Sequence, residues 1–274
     1  MKMLLCSIGS KKRKTTLRYG ATLAKVLSAD VMLLGVVDRK RKIEELGSIM
    51  DTVARELSSA GLSVEMRVEV GNAEKSLLIE IGEETYELIA MGVLGGKRAC
   101  RALVDSVARR VLENTASSVL VIKGDHTQIS RVLVCSSGTE HGHLAVWTGA
   151  TVACSLGARA TLLHVLDPMP AMYTGLERMN ETLSTFLESD TGPAQELKWG
   201  AQVLKAECQI AELKIRRGIV TDEILREGQR GDYDLIVLGS SRFPGGLVRI
   251  AMGNVASEVV SRACRPVLAV RPHD

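Results

Sequence analysis

The chain has 274 residues, 46% of them hydrophobic but only 3% aromatic, so it is long enough for two ordinary domains whose cores must be built from Val, Leu, Ile, Ala and Met. So few rings leave no stacking platform for single-stranded nucleic acid, and a net charge of +3, split +4 over residues 1–128 and −1 over the rest, is too mild to demand a nucleic-acid partner. No apolar run approaches about 18 residues, and the first apolar run precedes Lys11-Lys12-Arg13-Lys14, the reverse of a secretory signal, so a cytoplasmic protein without a membrane span is expected.

In chain order, short runs rich in β-branched residues predict strands at 2–8, 31–37, 62–69, 86–92 and 118–123. Between them, apolar residues recurring at three and four predict helices at 15–29, 41–60, 73–84 and 103–116. This alternation is a parallel sheet with helices on both faces. Gly124–Ser130 is read as a linker.

The order then repeats. Strands are predicted at 131–137, 160–166, 212–217, 233–239 and 266–271, and helices at 142–156, 194–209, 220–230 and 251–263. Leu4-Leu5-Cys6-Ser7 is echoed by Leu133-Val134-Cys135-Ser136, and Leu88-Ile89-Ala90-Met91-Gly92 by Leu235-Ile236-Val237-Leu238-Gly239. Such a long period marks a duplicated domain, each copy expected to have its own core and its own ligand site. The domains are expected at 1–124 and 130–272. Residues 167–211 are about twice as long as their counterpart, and predict an extra helix near 175–189 and a mobile stretch around Ser189–Pro193. Six scattered cysteines form no CxxC pair; Cys6 and Cys135 fall inside matched apolar strands, as buried free thiols of a reducing compartment would.

An open parallel sheet binds ligands beyond the carboxyl ends of its strands. A glycine there lets backbone approach a phosphate, and the next helix offers free N–H groups. After the fourth strand the first copy reads Gly92-Val93-Leu94-Gly95 and continues to Asp105-Ser106. The second reads Gly239-Ser240-Ser241-Arg242-Phe243 and continues to Gly253-Asn254-Val255. With Leu162-Leu163-His164-Val165-Leu166-Asp167-Pro168 and Cys264-Arg265-Pro266-Val267-Leu268, this pattern resembles the universal stress protein superfamily, over nearly the whole chain and as two tandem domains.

The resemblance implies an α/β fold of two tandem doubly wound parallel-sheet domains, Rossmann-like and of the adenine nucleotide alpha hydrolase type. It implies a non-catalytic stress-response or signalling protein, with ATP or another adenine nucleotide in the second domain. Its site residues there are Gly239, Ser240, Arg242, Gly253, Asn254 and Val255 toward the phosphates, with Ser137 and Val165 at the base end. A ligand-free scaffold, and a weak ATPase or hydrolase using the same cleft, are the alternatives. The first copy is the degenerate one: Asp105 stands where the family has its third glycine, and Ile8 where nucleotide binders end the first strand with Asp. Asp105 suits an N-cap for helix 106–116. In the second copy Arg242 or Phe243 replaces the middle glycine and Ser137 the Asp. The family also pairs its last strands in dimers, so 118–123 and 266–271 are expected to join the two halves as an internal pseudo-dimer.

Glu140-His141-Gly142-His143, with His164 nearby, lacks the ligands to complete a zinc spacing and reads as a polar loop. Ser7, Ser136 and Ser137 lack a Gly-x-Ser-x-Gly elbow, and Asp38 and Asp167 read as turn residues rather than bases, so no catalytic set is expected. Lys11–Lys14, Arg39–Lys42, Lys97, Arg98 and Arg101 follow the first, second and fourth strands, which strand polarity places at one sheet edge. These eleven cations are either solvated loops or a face for an acidic protein or polyanion.

Overall fold

Successive strand residues face opposite sides of a sheet, and here both sides are apolar. Met3 and Leu5 enter one core while Leu4 and Cys6 enter the other. The computed structural model describes residues 1–8, 13–92, 105–167, 183–208, 211–240 and 254–272. The first half runs β1 (Lys2–Ile8), α1 (Arg13–Val26), β2 (Asp30–Val37), α2 (Ile43–Ser58), β3 (Val64–Val70), α3 (Ala73–Glu83), β4 (Leu88–Gly92), α4 (Asp105–Asn114) and β5 (Ser118–Ile122). The second runs β6 (Arg131–Ser136), α5 (His143–Ser155), β7 (Arg159–Leu166), α6 (Leu183–Glu188), α7 (Gly192–Glu207), β8 (Ala211–Arg217), α8 (Val220–Arg230), β9 (Leu235–Gly239), α9 (Asn254–Arg262) and β10 (Val267–Val270).

These strands form one sheet in the order β3-β2-β1-β4-β5-β10-β9-β6-β7-β8. Neighbours within each half are parallel. The exception is the joint, where β10 pairs antiparallel with β5 and sets Leu268 beside Leu120. This is the pairing expected of the last strands, and it removes both from the sheet's edge. It also corrects one expectation. The halves do not have separate cores. Each core lies on one face of the sheet and crosses the joint, so Leu120 and Leu268 share one core while Val119 and Val267 share the other. The linker is pinned as well: the Asp234 carboxylate accepts from Ser130 N at 2.9 Å and Arg131 N at 3.1 Å.

Two boundaries moved for a physical reason. Strands expected from 86 and 233 begin two residues later, because Tyr86 and Tyr233 turn into the core to reach helix carboxylates. The segment expected to be mobile is a hydrogen-bonded turn. Ser189 Oγ donates to Phe186 O at 2.7 Å, Gln195 Nε2 to Asp190 Oδ1 at 2.7 Å, and Pro193 occupies the first turn of α7, where its missing N–H costs no bond. The extra helix is α6; residues 168–182 lie outside those described. No helix among the described residues is long and apolar enough to cross a membrane.

Candidate functional site

The winding of the second half reverses at β6, which is flanked by β9 and β7. The register sets Ser136 beside His164 and Cys135 beside Leu238. Ser137 follows Ser136 directly, Val165 follows His164 on β7, and Gly239 follows Leu238 as the last residue of β9. A crevice at such a reversal is where open α/β sheets take ligands. Asn254 and Val255 open α9, so the positive end of that helix supplies their backbone. Arg242 and Gly253 lie outside the described residues.

The loop after β6 is built tightly. Gly138 has φ +70°, and a Cβ on it would lie 2.6 Å from His164 Cε1, so only glycine fits. Its N–H donates to Ser136 Oγ at 3.1 Å, while the exposed Ser137 Oγ lies 3.0 Å from Thr139 Oγ1. His164 Nδ1 lies 3.2 Å from the Ser136 carbonyl, and its ring stacks on Phe186. Burial pushes His164 below the ordinary histidine range, against the weaker pulls of that carbonyl and of Asp167. It therefore sits neutral, donating from Nδ1, and serves the loop. Val165 is half-buried against the core under α8 and α9.

Ser240 is 9% exposed. Its N–H donates to Val270 O at 2.8 Å and its Oγ accepts from Arg271 Nε at 3.2 Å. Arg271 is itself buried and crosses the joint. Its Nη2 donates to Leu112 O at 2.7 Å and its Nη1 to Thr115 O, the carbonyls that end α4 in the first half. The partner device is Lys123, just after β5, whose Nζ reaches Val260 O, Ser261 O and Ala263 O at the end of α9. Each half thus caps a helix of the other with a cation, where the helix dipole is negative.

At the matching place in the first half β4 ends at Gly92. A Cβ on Gly92 would lie 2.5 Å from Thr16 Cγ2, so the chain's own α1 fills the space that this glycine opens. Ser7, at the end of β1, is 1% exposed. Asp105 opens α4 as its first residue instead of preceding it.

The other constellations disperse. His143 turns to α7, with Nε2 2.5 Å from Glu196 Oε2 and its ring stacked 3.7 Å from Trp199, whereas His164 faces Gly138. No group of three metal-ligating side chains occurs among the described residues. Asp38 braces its turn through Lys42, 2.6 Å away, and that bond holds its carboxyl below the usual range. The Asp167 carbonyl accepts from Arg217 at 3.3 Å. Burial pushes the Cys135 thiol up to about 12, which makes it inert as a nucleophile. Of the cationic rim, Lys14, Arg39, Lys40 and Arg41 are exposed, while Lys11, Lys12, Lys97, Arg98 and Arg101 lie outside the described residues.

Two sets of residues escape sequence reading. One is the pair Lys123 and Arg271. The other is a buried carboxylate in each half. Glu80 accepts from Tyr86 OH at 2.6 Å and Arg67 Nη1 at 2.7 Å; Glu227 accepts from Lys214 Nζ at 2.9 Å, Arg216 Nη2 at 2.7 Å and Tyr233 OH at 3.2 Å. The signal was present, since Glu and Tyr recur at one spacing in the two copies, but a helical glutamate reads as solvent-facing.

A model of the universal stress protein family matches residues 1–123 and again 128–271. A universal stress protein of Methanocaldococcus jannaschii is 25% identical over 158 residues, covering 55% of this chain and 87% of that protein. One from Mycolicibacterium smegmatis is 23% identical over 223 residues, covering 77% and 70%. The crystal structure of a universal stress protein from Archaeoglobus fulgidus superposes with a TM-score of 0.66 at 21% identity, covering 98% of each chain.

Proposed function

The chain belongs to the universal stress protein family, and from that membership we propose that it is a non-catalytic stress-response or signalling protein whose second domain, residues 130–272, holds ATP or another adenine nucleotide. The first domain, residues 1–124, is then the degenerate copy. The observation that carries this reading is the asymmetry of the two carboxyl edges. In the first domain Ser7, at the end of β1, is 1% exposed. In the second, the matching Ser136 is half-buried and Ser137 after it is exposed. Gly239, Ser240, Arg242, Gly253, Asn254 and Val255 would face phosphates, which accept hydrogen bonds and favour a helix N-terminus. Ser137 and Val165 would face the base.

The test is to denature the purified protein, weigh any released small molecule by mass spectrometry, and titrate emptied protein with ATP by calorimetry. An adenine nucleotide released, or saturable binding, supports the reading. Neither result leaves a ligand-free scaffold. Hydrolysis above a protein-free blank would make it an enzyme.

Asp105→Gly should make the first domain more receptive to ATP by removing a carboxylate from beside the phosphate position. Asp105 is the first residue of α4, so the cost in stability should be about 1 kcal/mol, the scale of a carboxylate lost from the first turn or of a glycine placed there. Unchanged ATP affinity would mean that Ile8 or the neighbouring loops block the site independently.

A second reading concerns partners. Arg39, Lys40 and Arg41 stand exposed in a tight turn after β2. Such a face suits an acidic protein or a polyanion. Binding there should weaken steeply with salt, since exposed charges are screened over about 8–10 Å. A variant with Lys11–Lys14 neutralised should bind a polyanion such as heparin more weakly at low salt. Equal binding by both proteins leaves the rim as solvated loops.

A further inference from the structure

We propose that Arg271 is a positioning residue for the phosphate end of the second domain's site, and that through it the first domain takes part in binding. The proposal rests on the reading of that site as a nucleotide site. The argument begins with hydrogen-bonding capacity. A guanidinium has only donors. Arg271 spends Nε on Ser240 Oγ and its two terminal nitrogens on Leu112 O and Thr115 O. Three fixed bonds in a planar fork leave the guanidinium one orientation.

Ser240 is then constrained in turn. Its N–H is committed to Val270 O and its oxygen already accepts from Arg271. These two bonds leave the hydroxyl proton and one lone pair, the proton polarised by a cation behind it. A hydroxyl whose oxygen already accepts from a cation is a strengthened donor at the carboxyl end of β9, and it favours a ligand atom that accepts. A phosphate oxygen is such an atom; a ring N–H is not.

The arrangement runs one way. At the position matching Ser240 the first copy has Val93, which carries no hydroxyl, and at the position matching Arg271 it has Lys123. Lys123 puts its ammonium on Ser261 O and Ala263 O at the end of α9. A lysine is therefore enough to cap the partner helix. The fork of arginine is needed only to hold a serine at the same time. That difference separates a merely structural cation from a positioning one.

The experiment compares wild type, Arg271→Lys and Ser240→Ala, each titrated with ATP and with adenosine. Lysine keeps the helix cap, as Lys123 does, so Arg271→Lys should fold with a melting temperature near that of wild type. Its ATP affinity should fall about tenfold, the scale of one lost hydrogen bond to a charged group, with adenosine affinity unchanged. Ser240→Ala should show the same loss, and the double variant no further loss. In wild type, ATP should also slow amide exchange at the carboxyl end of α4, and in Arg271→Lys it should not. Wild-type ATP affinity in Arg271→Lys, equal losses for ATP and adenosine, or additive losses would overturn the proposal while leaving the site in place. Wild-type protein that binds no ATP would remove the site itself, and Arg271 would be a helix cap alone.

Discussion

Gly253→Asp is expected to abolish ATP binding by the second domain. A carboxylate would stand beside the phosphates, and like charges about 4 Å apart repel by roughly 4 kcal/mol at an effective dielectric near 20, about a thousandfold in affinity. The substitution imitates the first copy, where Asp105 holds the matching position. It is also a clean test. The position directly precedes α9, which begins at Asn254, and Asp there favours a helix start. Folding should be untouched or slightly strengthened while binding is lost. Wild-type affinity in calorimetry would place the nucleotide elsewhere.

Glu227→Ala should lower stability by about 3 kcal/mol, the lower end of what removing one member of a buried ion pair costs. Glu227 is 3% exposed and anchors Lys214, Arg216 and Tyr233. Lys214 and Arg216 retain 23% and 43% exposure and can turn to water, which keeps the loss from being larger. Tyr233 is fully buried and cannot, so its hydroxyl would be left without its acceptor.

The pH dependence has a definite sign. Burial by itself would raise the Glu227 pKa, but the bonds from Lys214 and Arg216 outweigh it and hold the carboxyl below the usual range. A lowered pKa contributes stability above the unfolded value, about 4.3 for Glu, and loses it as pH falls through the folded value. Glu227→Gln should therefore differ most from wild type near neutral pH, and the gap should close in urea unfolding below about pH 4. A gap independent of pH would mean that Glu227 acts through packing and not charge.

Much of this was legible in the chain. A period of two in the strands and of three and four in the helices fixes element type locally, and the written-out repeat fixes their order twice. The pairing of the two last strands was expected from the family resemblance and from their unprotected edges, and the structure shows that they meet antiparallel. The matched motifs after β4 and β9 gave the expectation of a site at strand ends. Gly138 carried its signal only weakly, since a glycine in a loop is common and the ring that excludes a Cβ comes from His164 on another strand.

What the chain alone could not decide were the partners across the joint and across the sheet. Glu80 and Glu227 look like solvated helix residues until β3 and β8 bring Arg67, Lys214 and Arg216 over them. Lys123 and Arg271 look like charges that merely end a strand. Only the antiparallel meeting of β5 and β10 points each at the helix of the other half, where carbonyls left without N–H partners need donors. The same meeting merges cores that the repeat had implied were separate. Local periodicity depends on neighbours a few residues apart, so sequence reports it directly. The partner of a buried charge depends on strand order and register, which bring together residues more than a hundred positions apart, such as Arg271 and Leu112.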